Sequence, residues 1–303
     1  MIREGETMPQ SDDLALSPTS RPTWRGLLDE GKPLQLPAAH DALTARLIAR
    51  AGFRAYQVGG FALAGTRYAF PDIDLIHYYE ENEAIRQIVS ASPLPVLVDA
   101  NDGFGDVKNV TRTVRGYEEL GVSGIFIEDQ ESPVSCGQMG NKKVIPIKAM
   151  VGKIKAALSA RKIADTFIMA RTDGRSAVNV AEAIKRGEAY REAGADGLYM
   201  EGLRSAAELK QVGKALAGAP LATTMMEGGG QLSWLSPEEI YGYGFQMILY
   251  PTTILFQLTQ AIEKALGSLK SGKPMTGGVD LDTFEEIGGM PGWQEIEKRF
   301  NNA

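Results

Sequence analysis

One pattern constrains this chain more than any other. A short apolar run ends in polar or glycine residues, a helical stretch follows, and the unit repeats eight times. The runs are LQLPA (34–38), AYQV (55–58), PVLV (95–98), GIFI (124–127), FIMA (167–170), GLYM (197–200), PLAT (220–223) and QMILY (246–250). Short apolar runs between turn residues read as buried strands. Between them lie amphipathic stretches such as VTRTVRGYEELGV and VAEAIKRGEAYREAGA, the second closing on the helix-stop residue Gly194. Strands alternating with helices imply a parallel sheet. Eight units in about 220 residues fit a closed (β/α)8 TIM barrel better than a doubly wound sheet. No GxGxxG follows the first run, which also counts against a dinucleotide fold.

The pattern sets the domain limits. Residues 1–20, rich in Ser, Pro, Thr and Asp, read as a disordered tail. Residues 21–270 form the barrel and an apolar helix after Thr252 (ILFQLTQAIEKALGSL). Residues 271–303 are a Gly/Pro-punctuated tail with a short helix near 291–301. The formal charge of −6, with no basic run, excludes a nucleic-acid surface. No apolar run approaches the roughly 20 residues of a membrane span, and the polar N-terminus MIREGETMPQSDD lacks the apolar region of a signal peptide. Cys136 is the single cysteine, so neither an intrachain disulfide nor a multi-cysteine zinc site is available. A reducing cytoplasm is the simple expectation.

In such barrels chemistry gathers at the C-terminal strand ends. Strand 2 ends in Gly59-Gly60, strand 3 in Asp99-Ala-Asn101-Asp102-Gly-Phe-Gly and strand 4 in Glu128-Asp129. Strand 5 ends in Arg171-Thr-Asp173, strand 6 in Glu201, and strand 7 in Thr224 followed by Glu227. Any one of these acids could simply cap the next helix. Together, with one arginine, they would repel one another, and a divalent cation resolves the conflict. Hard oxygen ligands suit Mg²⁺ or Mn²⁺.

The motifs AYQVGG, FPDIDL, VLVDANDGFG, GIFIEDQ, CGQMGNKK, FIMARTDG, GLYMEG, MMEGGG and ILYP occur in the order and spacing of the isocitrate lyase / phosphoenolpyruvate mutase superfamily. The chain resembles its 2-methylisocitrate lyase-like and carboxyphosphonoenolpyruvate mutase-like members over roughly residues 22–270. That resemblance implies a (β/α)8 barrel with its eighth helix swapped between subunits, assembled as a dimer or tetramer. It also implies Mg²⁺ and a 2-oxo or 2-hydroxy acid whose C–C or P–C bond is made or broken beside an enolate. Asp99 matches the direct metal ligand. Asp72 and Glu128 match groups that reach the metal through water, with Asn101 at the second aspartate of the motif. Arg171 matches the arginine that binds the acid, and Gly59 and Gly60 match its backbone donors. Tyr56 matches a tyrosine near the reacting oxygen and a candidate base. Glu201 matches a carboxylate in the polar network behind the site. Cys136 matches the thiol of a mobile loop, about Glu131 to Lys143, that closes over substrate and protonates the departing carbon.

The departures bear on substrate. Val134 and Ser135 replace two basic residues before the cysteine, and Gln138 replaces a histidine after it. Thr224 stands for an asparagine and Val58 for a serine. Asn101 removes one negative charge, which predicts weaker metal affinity. Two lost cations disfavour a tricarboxylate, so Val58, Val134, Gln138 and Thr224 are expected to surround a less anionic fragment. The expected activity is Mg²⁺-dependent cleavage of the C2–C3 bond of a small 2-hydroxy acid, releasing a 2-oxo acid. The alternatives are a carboxyphosphonoenolpyruvate or phosphonopyruvate mutase, an oxaloacetate hydrolase or decarboxylase, and a non-catalytic 2-oxo acid binding protein. His40, His77 and the run EKALGSLKSGK are read as structural or solvated.

Overall fold

Each of the eight apolar runs becomes a strand: β1 Leu34–Pro37, β2 Tyr56–Val58, β3 Val96–Asp99, β4 Gly124–Glu128, β5 Phe167–Thr172, β6 Gly197–Met200, β7 Leu221–Thr224 and β8 Phe245–Tyr250. This arrangement comes from a computed structural model that describes residues 21–137, 142–227 and 232–301. All pairings are parallel, in the order β1-β8-β7-β6-β5-β4-β3-β2. A single bridge between Ala38 and Gln57, with Ala39 N–H donating to Gln57 O at 2.9 Å, joins β1 to β2. Helices return each strand to the same end, as a parallel sheet requires. Asn179 caps the helix Val180–Glu192, and Gly194 follows it with φ +99°.

Side chains alternate between the two faces of a strand, and the alternation divides the core in two. Leu36, Ala55, Leu97, Phe126, Met169, Tyr199, Ala222 and Leu249 fill the barrel. Their neighbours Val58, Val98, Ile125, Ile127, Ala170, Leu198 and Ile248 pack outward beneath the helices. The helix Trp24–Asp29 plugs the N-terminal end. Trp24 is fully buried, with its indole N–H on Met247 Sδ at 3.4 Å and its ring against Phe167.

Beyond β8 the chain leaves the barrel. The helix Thr253–Lys270 has no buried residue and exposes Phe256, Leu258, Ile262, Leu266 and Leu269. The tail holds the helix Met290–Asn301 where one was expected. It also holds a second, Leu281–Gly288, capped by Asp280 and stopped by Gly289 at φ +86°. That extra helix returns to Ala42–Arg50 through an Arg50–Glu286 pair at 2.8 Å and an Arg46 bond to Ile287 O at 3.0 Å. Residues 1–20 lie outside the described residues.

Candidate active site

The alternation that fills the barrel also selects its polar rim. Two residues beyond the inward Leu97, Phe126, Met169, Tyr199 and Ala222 stand Asp99, Glu128, Arg171, Glu201 and Thr224. A period of two therefore places these five on the inner face, one layer above the apolar core. Arg171 is at the centre. Its Nη1 lies 3.1 Å from Glu128 Oε2, its Nε donates to Asp173 Oδ2 at 3.0 Å, and its guanidinium sits over the Tyr199 ring. Glu201 Oε2 accepts from Thr224 Oγ1 at 2.8 Å, and Thr224 is joined in turn to the Tyr199 hydroxyl.

On the next side, Asp99 takes the Asn101 N–H at 2.9 Å, and the Gly60 N–H also stabilises it. Burial nonetheless pushes Asp99 up to about 6, against the pull of Arg171. Asp173 is raised to about 6 by the same cause, and Glu128 well above the usual carboxylate range. Burial also raises Asp72, with Arg171 and Lys142 opposing. Asn101 adopts φ +47°, which asparagine tolerates. Its amide donates to Glu81 Oε1 at 2.7 Å, and the other Glu81 oxygen has no hydrogen-bond partner.

This donor set fits a divalent cation. Buried carboxyls outnumber the cations Arg171 and Lys142 that face them, and one acceptor is orphaned. Among the described residues, no three His, Cys, Asp or Glu side chains converge as a tight cage. That suits a metal that keeps several waters and touches one or two carboxylates.

The segment after β4 folds over this rim. Cys136 N–H donates to Asp72 O at 3.2 Å, and Ser132 Oγ donates to Asp74 Oδ2 at 3.1 Å. Val134 is buried and lines a pocket with Asp72, Glu81 and Asn101. Gly137 is pressed so close to Arg171 and Glu201 that a Cβ there would stand 2.7 Å from Nη2 and 2.6 Å from Cγ. Lys142, absent from the sequence reading, turns inward and is buried. Its ammonium donates to Gln130 Oε1 and Ser135 Oγ, both at 2.9 Å, and to Ser135 O. Burial lowers its pKa, with Asp173 opposing. One cation thus approaches from beyond the cysteine, although the two positions before it carry none. Gln138 lies outside the described residues.

Two expected residues are elsewhere. Tyr56 and Val58 sit on the outward parity of β2 and pack in the layer beneath the helices. The Tyr56 hydroxyl is fully buried without a partner. Burial raises its phenol far above the usual value, and the charge that acts on it is Arg21, whose guanidinium holds Gly121 O and Ser92 O in the loops before β4 and β3. It cannot serve as base at the rim. The inward tyrosine is Tyr199, one residue pair below Glu201. Asp129 is structural. It accepts from Thr172 Oγ1, the Asp173 N–H, Tyr190 and Arg186, all within 3.1 Å. Asp102 is held by Lys153 at 3.3 Å. His40 is buried against Thr44, and His77 caps the helix Tyr78–Ser90. Sequence reasoning missed Glu81 and Lys142; the one signal available was an acid at an apolar-stripe position of the helix Tyr78–Ser90, while the burial of Lys142 is decided by the fold.

Comparison with known proteins identifies the family and the fold. Residues 24–270 match the family model described as phosphoenolpyruvate phosphomutase. The chain is 38% identical over 279 residues to 2,3-dimethylmalate lyase of Eubacterium barkeri, spanning 92% of this chain and 96% of that one. It superimposes on oxaloacetate acetylhydrolase in complex with 3,3-difluorooxalacetate with a TM-score of 0.87 and 28% identity, covering 91% of this chain and 95% of that one. Phosphonopyruvate hydrolase in complex with oxalate and Mg²⁺ aligns with a TM-score of 0.82 and 27% identity, over 91% and 97% of the two chains. The eight-stranded barrel expected from the repeat is the fold of these relatives.

Proposed function

This chain belongs to the phosphoenolpyruvate mutase family of the isocitrate lyase / phosphoenolpyruvate mutase superfamily, and from that premise we propose that it is a Mg²⁺-dependent lyase. It cleaves the C2–C3 bond of a small 2-hydroxy dicarboxylate of the dimethylmalate type. Asp99 would hold the metal directly, and Asp72, Asn101 and Glu128 through water. Mg²⁺, when bound, supplies a Lewis acid for the oxygen on C2.

The chain's own groups account for the rest. Arg171 and the Gly59 and Gly60 N–H groups bind the carboxylate and 2-oxygen of the acid. Glu201, whose carboxylate is bonded to Thr224, takes the proton of the 2-hydroxyl. The C2–C3 bond then breaks, its electron pair passes to the departing carbon, and the Cys136 thiol protonates that carbon. The observation that supports this reading is the seat of Gly137, the residue after Cys136, against Arg171 and Glu201. Val134 adds an apolar wall, and Lys142 is a single cation on that side. Both suit one distal carboxylate flanked by methyl groups better than a tricarboxylate.

The apolar face of Thr253–Lys270 requires cover, and a second copy of the chain supplies it in a dimer or tetramer. A reducing cytoplasm keeps a catalytic thiol reduced.

The test is release of a 2-oxo acid from a panel of 2-hydroxy dicarboxylates with Mg²⁺. Turnover that survives exhaustive chelation refutes the metal role. Metal binding with no turnover on the whole panel makes the chain a 2-oxo acid binding protein. The likeness to oxaloacetate acetylhydrolase favours one other reading, hydrolysis of an oxaloacetate-type acid. Oxalate release with Cys136→Ser fully active would establish it, because that reaction draws its nucleophile from water.

A further inference from the structure

The segment after β4 leaves the barrel and returns beside itself. Gln130 bridges Val144 in antiparallel register. Glu131 N–H donates to Lys143 O at 3.0 Å, and Ile145 N–H donates to Asp129 O at 2.9 Å. Backbone pairing therefore fixes the two ends of the segment, while Cys136 lies between them. What holds the cysteine must come from side chains. Gln130 is 2% exposed, and a buried amide has to find partners for both its donor and its acceptor.

Both are spent on one residue. Gln130 Oε1 accepts the Ser135 N–H at 3.2 Å, and Nε2 donates to Ser135 O at 2.9 Å. The side-chain amide pairs with the Ser135 backbone as one peptide pairs with another across a sheet. Lys142 fixes which way the amide points. Its ammonium can only donate, and it donates to Oε1 at 2.9 Å. The same ammonium also reaches Ser135 O, and Ser135 Oγ at 2.9 Å. Ser135 O belongs to the peptide that leads into Cys136. The N–H of that peptide, on Cys136, donates to Asp72 O at 3.2 Å. A peptide unit is planar, so holding its oxygen from one side and its N–H from the other sets the plane from which the Cys136 side chain departs.

Resting on the reading of Cys136 as the acid of the reaction, we propose that Gln130 is a positioning residue for Cys136, acting through the Ser135 backbone. It touches neither the substrate nor the reacting atoms. Its two hydrogen bonds hold the residue before the cysteine, while Gly137 after it is seated against Arg171 and Glu201. The thiol is thereby carried between two fixed neighbours. The competing account makes Gln130 a support for the bridge to Val144 and nothing more.

The experiment pairs steady-state turnover with alkylation by iodoacetamide. Cys136 is the single cysteine, so its alkylation rate reads its freedom without background and without turnover. Gln130→Met keeps the length of the side chain and removes both polar atoms. Alkylation of the free protein should quicken about tenfold, the scale of losing two buried hydrogen bonds. With the best substrate found, kcat should fall about 10- to 100-fold while KM stays within about threefold, because the acid is misplaced and the acid-binding groups are not. Gln130→Glu keeps the acceptor for Ser135 N–H and for Lys142, and should stay within a few-fold of the parent in both measurements. Ser135→Ala removes only the hydroxyl, keeps the backbone pairing, and should also match the parent. If Gln130→Met fails to fold, Gln130→Asn, too short to reach both backbone atoms, is held to the same expectation. Alkylation and kcat at parent values in the variant that folds overturn the proposal, and a lowered melting temperature beside them marks Gln130 as structural only. A loss in Ser135→Ala equal to that in Gln130→Met overturns it as well. A fully active Cys136→Ser overturns the acid reading instead, and the alkylation rates then still decide whether Gln130 holds the thiol in place.

Discussion

Gly137→Ala adds one methyl group at the tightest point of the proposed closed site. The new Cβ would stand 2.6 Å from Glu201 Cγ, 2.7 Å from Arg171 Nη2 and 2.8 Å from Glu201 Cδ. Neither neighbour can move freely. Arg171 is locked between Glu128 and Asp173, and Glu201 is bonded to Thr224. Gly137 does not lie in the left-handed region, so the alanine is opposed by sterics and not by its backbone conformation. Overpacking by a methyl group costs about 1–3 kcal/mol. Here the cost falls on the arrangement in which the Cys136 segment covers the rim, because the segment can lift away and escape it. The population of that arrangement should fall roughly 5- to 150-fold, and kcat/KM should fall with it. Thermal unfolding should barely change, since the barrel core is untouched. The assay is steady-state turnover with the best substrate found, paired with melting of the free protein. Wild-type turnover in Gly137→Ala would refute the reasoning, because Cys136 would then not need to reach the rim. A large fall in melting temperature would refute it differently, by making Gly137 a residue of the fold.

Cys136→Ser should lower turnover about 100-fold or more, the usual scale for losing a positioned acid, with little change in ligand affinity measured by calorimetry. Lys142→Met removes the buried cation that ties Ser135 to Gln130; KM for a dicarboxylate should rise about tenfold or more, and an unchanged KM would show that Lys142 is purely structural. Ile262→Lys, on the exposed face of Thr253–Lys270, should shift sedimentation toward the monomer, and an unchanged oligomer would place the interface elsewhere. Burial holds His40 below its ordinary pKa of about 6.5, so as pH falls the unfolded chain takes the proton first. His40 therefore lowers stability progressively below about pH 6.5 and has no effect above it. Urea unfolding of His40→Gln between pH 5 and 7.5 should show a shallower acid slope than the parent, and an equal slope would contradict the burial.

The eight strands were legible because each is an apolar run between turn signals, a local property that a parallel barrel imposes on its sequence. The ends of those runs gave Asp99, Glu128, Arg171 and Glu201 as well, because a TIM barrel delivers strand ends to one face whatever the rest of the chain does. Strand parity was what the runs could not reveal. Every residue of β2 is buried, so no alternation of apolar and polar residues shows which side faces the barrel, and Tyr56 could not be separated from Gly59. The closed sheet decided it, sending Tyr56 to the helices and putting Tyr199 beneath Glu201. Charge followed the same division. The sequence determined that the acids outnumber the bases at the strand ends and that Asn101 is neutral. Only the tertiary structure decided that Lys153 would neutralise Asp102, that Lys142 would turn inward over Cys136, and that Glu81, twenty residues before Asn101, would lie against its amide. The physical reason is that a side chain's charge is written in the chain, while the solvent it loses and the charge it meets are set by which elements pack together.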